Sequence, residues 1–158
     1  MWPTYMAFTI SGQIIIRIAY LSIFYYFYSM IPRESAVIIG KLRKQFPVIT
    51  LTGPRQSGKT TLLRSIYHDI PYVSLEDIDV RSAALNDPRG FLTNFPDGAV
   101  LDEIQRTPEL FSYIQGLVDK NKRIHFVLSG SQNFLLLENI SQTLAGRAAI
   151  LKLLSFSI

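Results

Sequence analysis

The stretch Gly53-Pro54-Arg55-Gln56-Ser57-Gly58-Lys59-Thr60 constrains this chain more than any other. It fits G-x-x-x-x-G-K-[ST], a spacing whose chemistry requires a strand running in and a helix running out. The glycines allow backbone angles that a side chain forbids, so successive N–H groups can face an anion. A helix opening at Lys59 points the positive end of its dipole at the same place. Nucleotide phosphates are therefore expected against Gly53, Pro54, Arg55, Gln56, Ser57, Gly58, Lys59, Thr60 and Thr61. Lys59 would reach the β- and γ-phosphates, and the Thr60 hydroxyl would take Mg2+. A ligand-free Gly-rich turn has no need of Lys-Thr at this offset.

The flanking pattern supplies the required context. Val48 to Leu51 is a short β-branched, apolar run and Lys59 to Tyr67 is helical. Further strands are expected at Tyr72–Leu75, Ala99–Asp102, Ile124–Leu128 and Ala148–Leu153. Helices are expected at Ala36–Gln45, Asp79–Asn86, Pro88–Phe95, Pro108–Lys120 and Asn133–Leu144, with a break at Asp87-Pro88. Strands alternating with helices give an α/β fold, a parallel sheet of about five strands flanked by helices. Ligands in such sheets bind at the carboxyl ends of the strands.

Three more candidate groups follow strand ends or precede a strand. Ala99-Val100-Leu101 leads into Asp102-Glu103. Asp102 is placed to hold the magnesium shell, and Glu103 to polarise an attacking water. A nucleotide kinase needs no such glutamate, because its second substrate is the nucleophile; the pair favours hydrolysis. Ser129-Gly130-Ser131-Gln132 follows the Phe126–Leu128 run. If that strand lies between the loop strand and the Asp102 strand, Ser129 or Ser131 would face the γ-phosphate. The alternative is an ordinary turn capping the next helix. Arg147, in Leu144-Ala-Gly-Arg147, is a candidate for stabilising γ-phosphate charge in its own subunit or a neighbour's, or else a plain surface arginine. Arg55 and Arg106 carry weaker claims. His68 and His125 are far apart and read as structural, so no metal site is expected from histidine.

The 158 residues carry a formal charge of +4 without a dense Lys/Arg run, so a nucleic-acid surface is not evident. There is no cysteine, which excludes disulfides and thiolate metal sites and fits a reducing compartment. Residues 1–29 differ from the remainder. Ala7 to Tyr28 is apolar and aromatic and has a bilayer-spanning length, followed by Arg33, Lys41, Arg43 and Lys44. A membrane helix there would leave the main domain in the cytoplasm. Arg17 opposes it, at roughly 2.5–3.5 kcal/mol. The other readings are a packed apolar helix and upstream sequence translated from a start codon placed before Met30.

With these residues in view, the chain resembles P-loop ATPases of the AAA type. It is most similar to a prokaryotic group in which this domain precedes a C-terminal nuclease-like domain. The likeness runs from Met30-Ile31-Pro32-Arg33 through GPRQSGKTTL, LDEIQRTPEL, LSGSQ and LAGR to Leu154. It implies a P-loop NTPase fold over residues 30–158, ATP rather than GTP, Mg2+, and the usual roles for Lys59, Thr60, Asp102 and Glu103. Such proteins start near Met30 and run well past Leu154, so the expectation is an ATPase domain truncated at its C-terminus. Mg-dependent ATP hydrolysis is expected, with a nucleotide-binding module lacking significant hydrolysis as the alternative. Self-association is a further expectation, and the cytoplasm is the expected location.

Overall fold

The computed structural model describes residues 36–131 and 134–154. Val48-Ile49-Thr50-Leu51 favours extended backbone and forms β1 (Val48–Gly53), buried at all six positions. Residues 36–43 precede it as helix α1. There follow α2 (Lys59–Ile66), β2 (Tyr72–Ser74), α3 (Ile78–Asn86), α4 (Pro88–Thr93) and β3 (Val100–Asp102). A 3-10 turn (Ile104–Arg106), α5 (Leu110–Lys120), β4 (Phe126–Ser131), α6 (Phe134–Thr143) and β5 (Ala148–Lys152) complete the order. The Asp87-Pro88 break is there for the expected reason. The Asp87 carboxylate accepts the Gly90 N–H, and Pro88 opens α4, where its missing N–H costs nothing.

The sheet order is β2-β3-β4-β1-β5, and every pair is parallel. β4 therefore separates the loop strand from the Asp102 strand. Successive residues of each strand face opposite sides, and each side has its own apolar layer. Val48, Leu101, Phe126 and Leu128 pack with Phe91, Phe111 and Ile114 from α4 and α5. Ile49, Leu51, Val100 and Val127 pack with Ile39, Leu62 and Leu63 from α1 and α2. Both faces are covered, which is why the central strands carry apolar residues on both sides. Asp102 lies two residues beyond Val100, and Ser129 two beyond Val127. Both therefore fall on the α2 side.

One boundary differs in a way that matters. The apolar run ends at Leu128, yet β4 continues to Ser131, with Ser129 opposite Leu51 and Ser131 opposite Gly53. Small polar residues lack a strong strand preference; the ladder with β1 holds them extended. Ser129 and Ser131 are thus strand residues, and the reading of this stretch as a helix-capping turn is corrected. The expected N-terminal apolar helix, and any membrane role for residues 7–28, lie outside the described residues. Among the described residues, no helix is long and apolar enough to cross a membrane.

Candidate functional site

After β1 the backbone turns through left-handed angles at Gln56 (φ 62°) and Gly58 (φ 83°). Gly58 is the N-cap of α2 and offers no side-chain hydrogen bond, and no acidic residue occupies the first turn. The opening N–H groups of α2 are left without a side-chain cap, as an anion site requires. Gly53 is required for another reason: a Cβ there would sit 2.3 Å from the Leu153 carbonyl oxygen. That approach is fixed by the Leu153 N–H, which donates to the Thr52 carbonyl at 2.7 Å. A cavity of about 600 Å³ opens over residues 55–61, with Glu76 and Glu103 on its other wall. This is a size that small-molecule ligands occupy.

Lys59 is only 7% exposed. Its ammonium donates to the carbonyls of Gly53 (3.0 Å) and Pro54 (2.8 Å) and to Ser57 Oγ (3.5 Å). Burial lowers its pKa from the usual lysine value, while the charges of Glu103 and Asp102 push it back up. A phosphate in the loop would add the counter-charge that burial calls for.

Asp102, 5% exposed, is held by three donors. Its Oδ2 accepts from Thr60 Oγ1 at 3.0 Å and from the Tyr72 hydroxyl; its Oδ1 accepts the Glu103 N–H at 3.0 Å. Thr60 donates its proton to Asp102, so its oxygen lone pairs stay free for a cation. Tyr72 belongs to no sequence motif. Burial, followed by the bond to Asp102, pushes its phenol up to about 12, so it remains a donor near neutral pH.

Glu103 has left-handed backbone (φ 58°), a strained angle for a residue with a Cβ. It caps the 3-10 turn and lies on the cavity wall. Its Oε2 accepts from Gln105 Nε2, which also donates to Ser131 Oγ at 3.1 Å. Gln105 therefore ties the acid to the end of β4, a link that spacing alone does not reveal. Ser129 is fully buried and its Oγ has no hydrogen-bond partner among the described residues. A hydroxyl left so costs about 1–3 kcal/mol, which a bound phosphate or its water would offset.

These features fit Mg2+ with a nucleotide. Among the described residues, no group of three or more His, Cys, Asp or Glu could enclose a metal ion. Mg2+ usually keeps several waters and takes one or two protein oxygens plus phosphates, and Thr60 with Asp102 is that kind of partial set.

Arg147 is the exception. Parallel strands begin at the same edge of a sheet, so the residue before β5 lies where β1 starts, and its carbonyl accepts the Val48 N–H at 3.1 Å. The loop is a strand length away, roughly 20 Å. The Arg147 guanidinium is bidentate to Asp119, at 2.7 and 2.8 Å, and donates to the Ala145 carbonyl. The structure does not bring Arg147 to the loop of its own chain. Arg55 lines the cavity, and Arg106 lies 3.6 Å from Glu76, which also lines it. His125 stands at the amino edge of the sheet, just before β4, away from the loop. A second cavity of about 430 Å³, lined by Arg89, Leu92, Tyr113 and Lys120 among others, includes none of the candidate residues.

A family model described as an AAA domain matches residues 45–158. Uncharacterized proteins of Mycobacterium bovis and Mycobacterium tuberculosis are each 33% identical over 128 residues, 80% of this chain. The chain spans 29% of the length of these relatives. Among solved structures, the Walker-type ATPase of Pyrococcus abyssi is similar with a TM-score of 0.56 and 17% identity, over 78% of this chain and 53% of that one. At that identity the likeness concerns the fold alone.

Proposed function

Because the chain belongs to the AAA domain family, we propose that it binds ATP with Mg2+ and hydrolyses it in the cavity above α2. The observation that carries this reading is the double anchoring of the acidic pair. Asp102 is bonded to Thr60 of the loop helix, while Glu103 turns into the cavity that the loop lines. The loop N–H groups and Lys59 hold the phosphates. Thr60 and Asp102 would hold Mg2+, which would supply positive charge against the phosphates. Glu103 takes the proton of a water attacking the γ-phosphorus; the bond to the ADP oxygen breaks and phosphate leaves. Gln105 fixes the Glu103 carboxylate, and Ser129 and Ser131 provide hydroxyls beside the transferring group.

Lys59→Ala tests the binding half. Loss of ATP binding in calorimetry, with the fold retained, is expected; unchanged affinity would contradict the phosphate-loop assignment.

One observation favours a second reading, a module that holds nucleotide with little turnover. Asp119 ties Arg147 to the far edge of the sheet, so γ-phosphate stabilisation by that residue would need a neighbouring copy. Phosphate release that rises steeply with protein concentration supports assembly; binding without release at any concentration supports the module. The preference for ATP over GTP and the association with a nuclease-like domain belong to this proposal and rest on the resemblance; a cytoplasmic place of action is part of it as well.

A further inference from the structure

We propose that Tyr72 is a positioning residue for Asp102, fixing through its hydroxyl the carboxylate orientation on which Mg2+ binding depends. The inference rests on the magnesium-ATP reading. Tyr72 lies on β2, at the edge of the sheet, and takes no part in the loop or the acidic motif. Its Cα pairs with Val100, and Ser74 pairs with Asp102. The phenol therefore reaches along the α2 face to the carboxylate of the adjoining strand, where its hydroxyl donates to Oδ2.

The surroundings are those of a built contact. Thr60 and Arg64 stand one helical turn apart on α2. Thr60 donates to the same Oδ2, and the Arg64 guanidinium covers the Tyr72 ring at 4.3 Å from its centroid. The loop helix thus grips both the carboxylate and the phenol that holds it. With two donors on Oδ2 and the Glu103 N–H on Oδ1, a carboxylate with about four acceptor positions has about one left. Its direction is fixed by donors from β2, from α2 and from its own following residue. Removal of the phenol takes away the one donor supplied by the edge strand, and the buried carboxylate is free to turn toward the vacated side. Partners of this kind, one shell out from a metal, typically change metal affinity 10- to 100-fold when lost.

The test is a Mg2+ titration of ADP binding by the full chain, read by fluorescence of a labelled nucleotide, with a parallel series in EDTA. Tyr72→Phe is expected to keep ADP affinity in EDTA and to weaken the apparent Mg2+ affinity by about tenfold or more. In an Asp102→Asn background the same substitution is expected to add nothing. A merely structural tyrosine would lower the melting temperature and leave the Mg2+ titration in place. A titration that overlays the wild type, or one showing tighter Mg2+ binding because the phenol competes, overturns the proposal. Should Tyr72→Phe fail to fold, Arg64→Ala reads the same support from the other side, with a smaller weakening expected and an unchanged titration contradicting it. If wild-type ADP binding ignores Mg2+, the magnesium reading itself falls, and that is seen before any substitution is made.

Discussion

Asp102 shows how little a motif residue does alone. Its position after a buried strand follows from the sequence pattern, but its chemistry comes from Thr60, Tyr72 and the Glu103 N–H. Glu103 likewise depends on Gln105 for its orientation. Sequence order showed Thr60 and Glu103 because both sit inside recognised spacings. Tyr72 and Gln105 act through register and a turn, which spacing does not encode. His125 gives a pH prediction at this scale. Burial first, and then the charge of Arg43, lowers its pKa below the usual value of 6.5. The unfolded chain therefore binds the proton more readily. Stability is fully present above about pH 6.5 and is lost as pH falls toward the lower folded value. Urea unfolding is expected to show this loss in the wild type and a flatter profile in His125→Gln. The carboxylates Asp69 and Asp119, lowered chiefly by their arginine partners, act only at more acidic pH. An unchanged slope in the variant would contradict the assignment.

The elements were legible from local signals, with shifts of a few residues at their ends. Apolar β-branched runs gave the strands, and Asp87 with Pro88 marks a helix start by its own chemistry. Two placements that local signals left open come from long-range pairing. β4 runs on to Ser131 because β1 pairs with it, and Arg147 lies at the amino edge because β5 runs parallel to β1. The β1–β5 seam also gives the loop its shape. Gly53→Ala would drive a Cβ against the Leu153 carbonyl, 2.3 Å away. A loss of about 1–3 kcal/mol, the scale of overpacking, is expected in denaturant unfolding, together with weaker ATP binding. A variant as stable as the wild type would mean that the seam yields at little cost.

At the scale of the molecule, sheet order does the assembling. With β4 between β1 and β3, the loop, the acidic pair and the two serines meet at one edge, on the face covered by α2. The opposite edge receives the chain entering the strands, and Arg147 with its partner Asp119 lies there. The fold class was open to the sequence because an α/β alternation has few parallel-sheet solutions. The composition of the site was only partly open, since strand order decides which strand ends become neighbours. The turnover proposed for this site depends on Glu103 activating the water that cleaves ATP. The direct measurement is single-turnover phosphate release from Mg-ATP by Glu103→Gln and the wild type, with ATP affinity determined for both. Matching affinities are expected, with release slowed by about 100-fold or more, the scale of a general base. Equal release rates would contradict it.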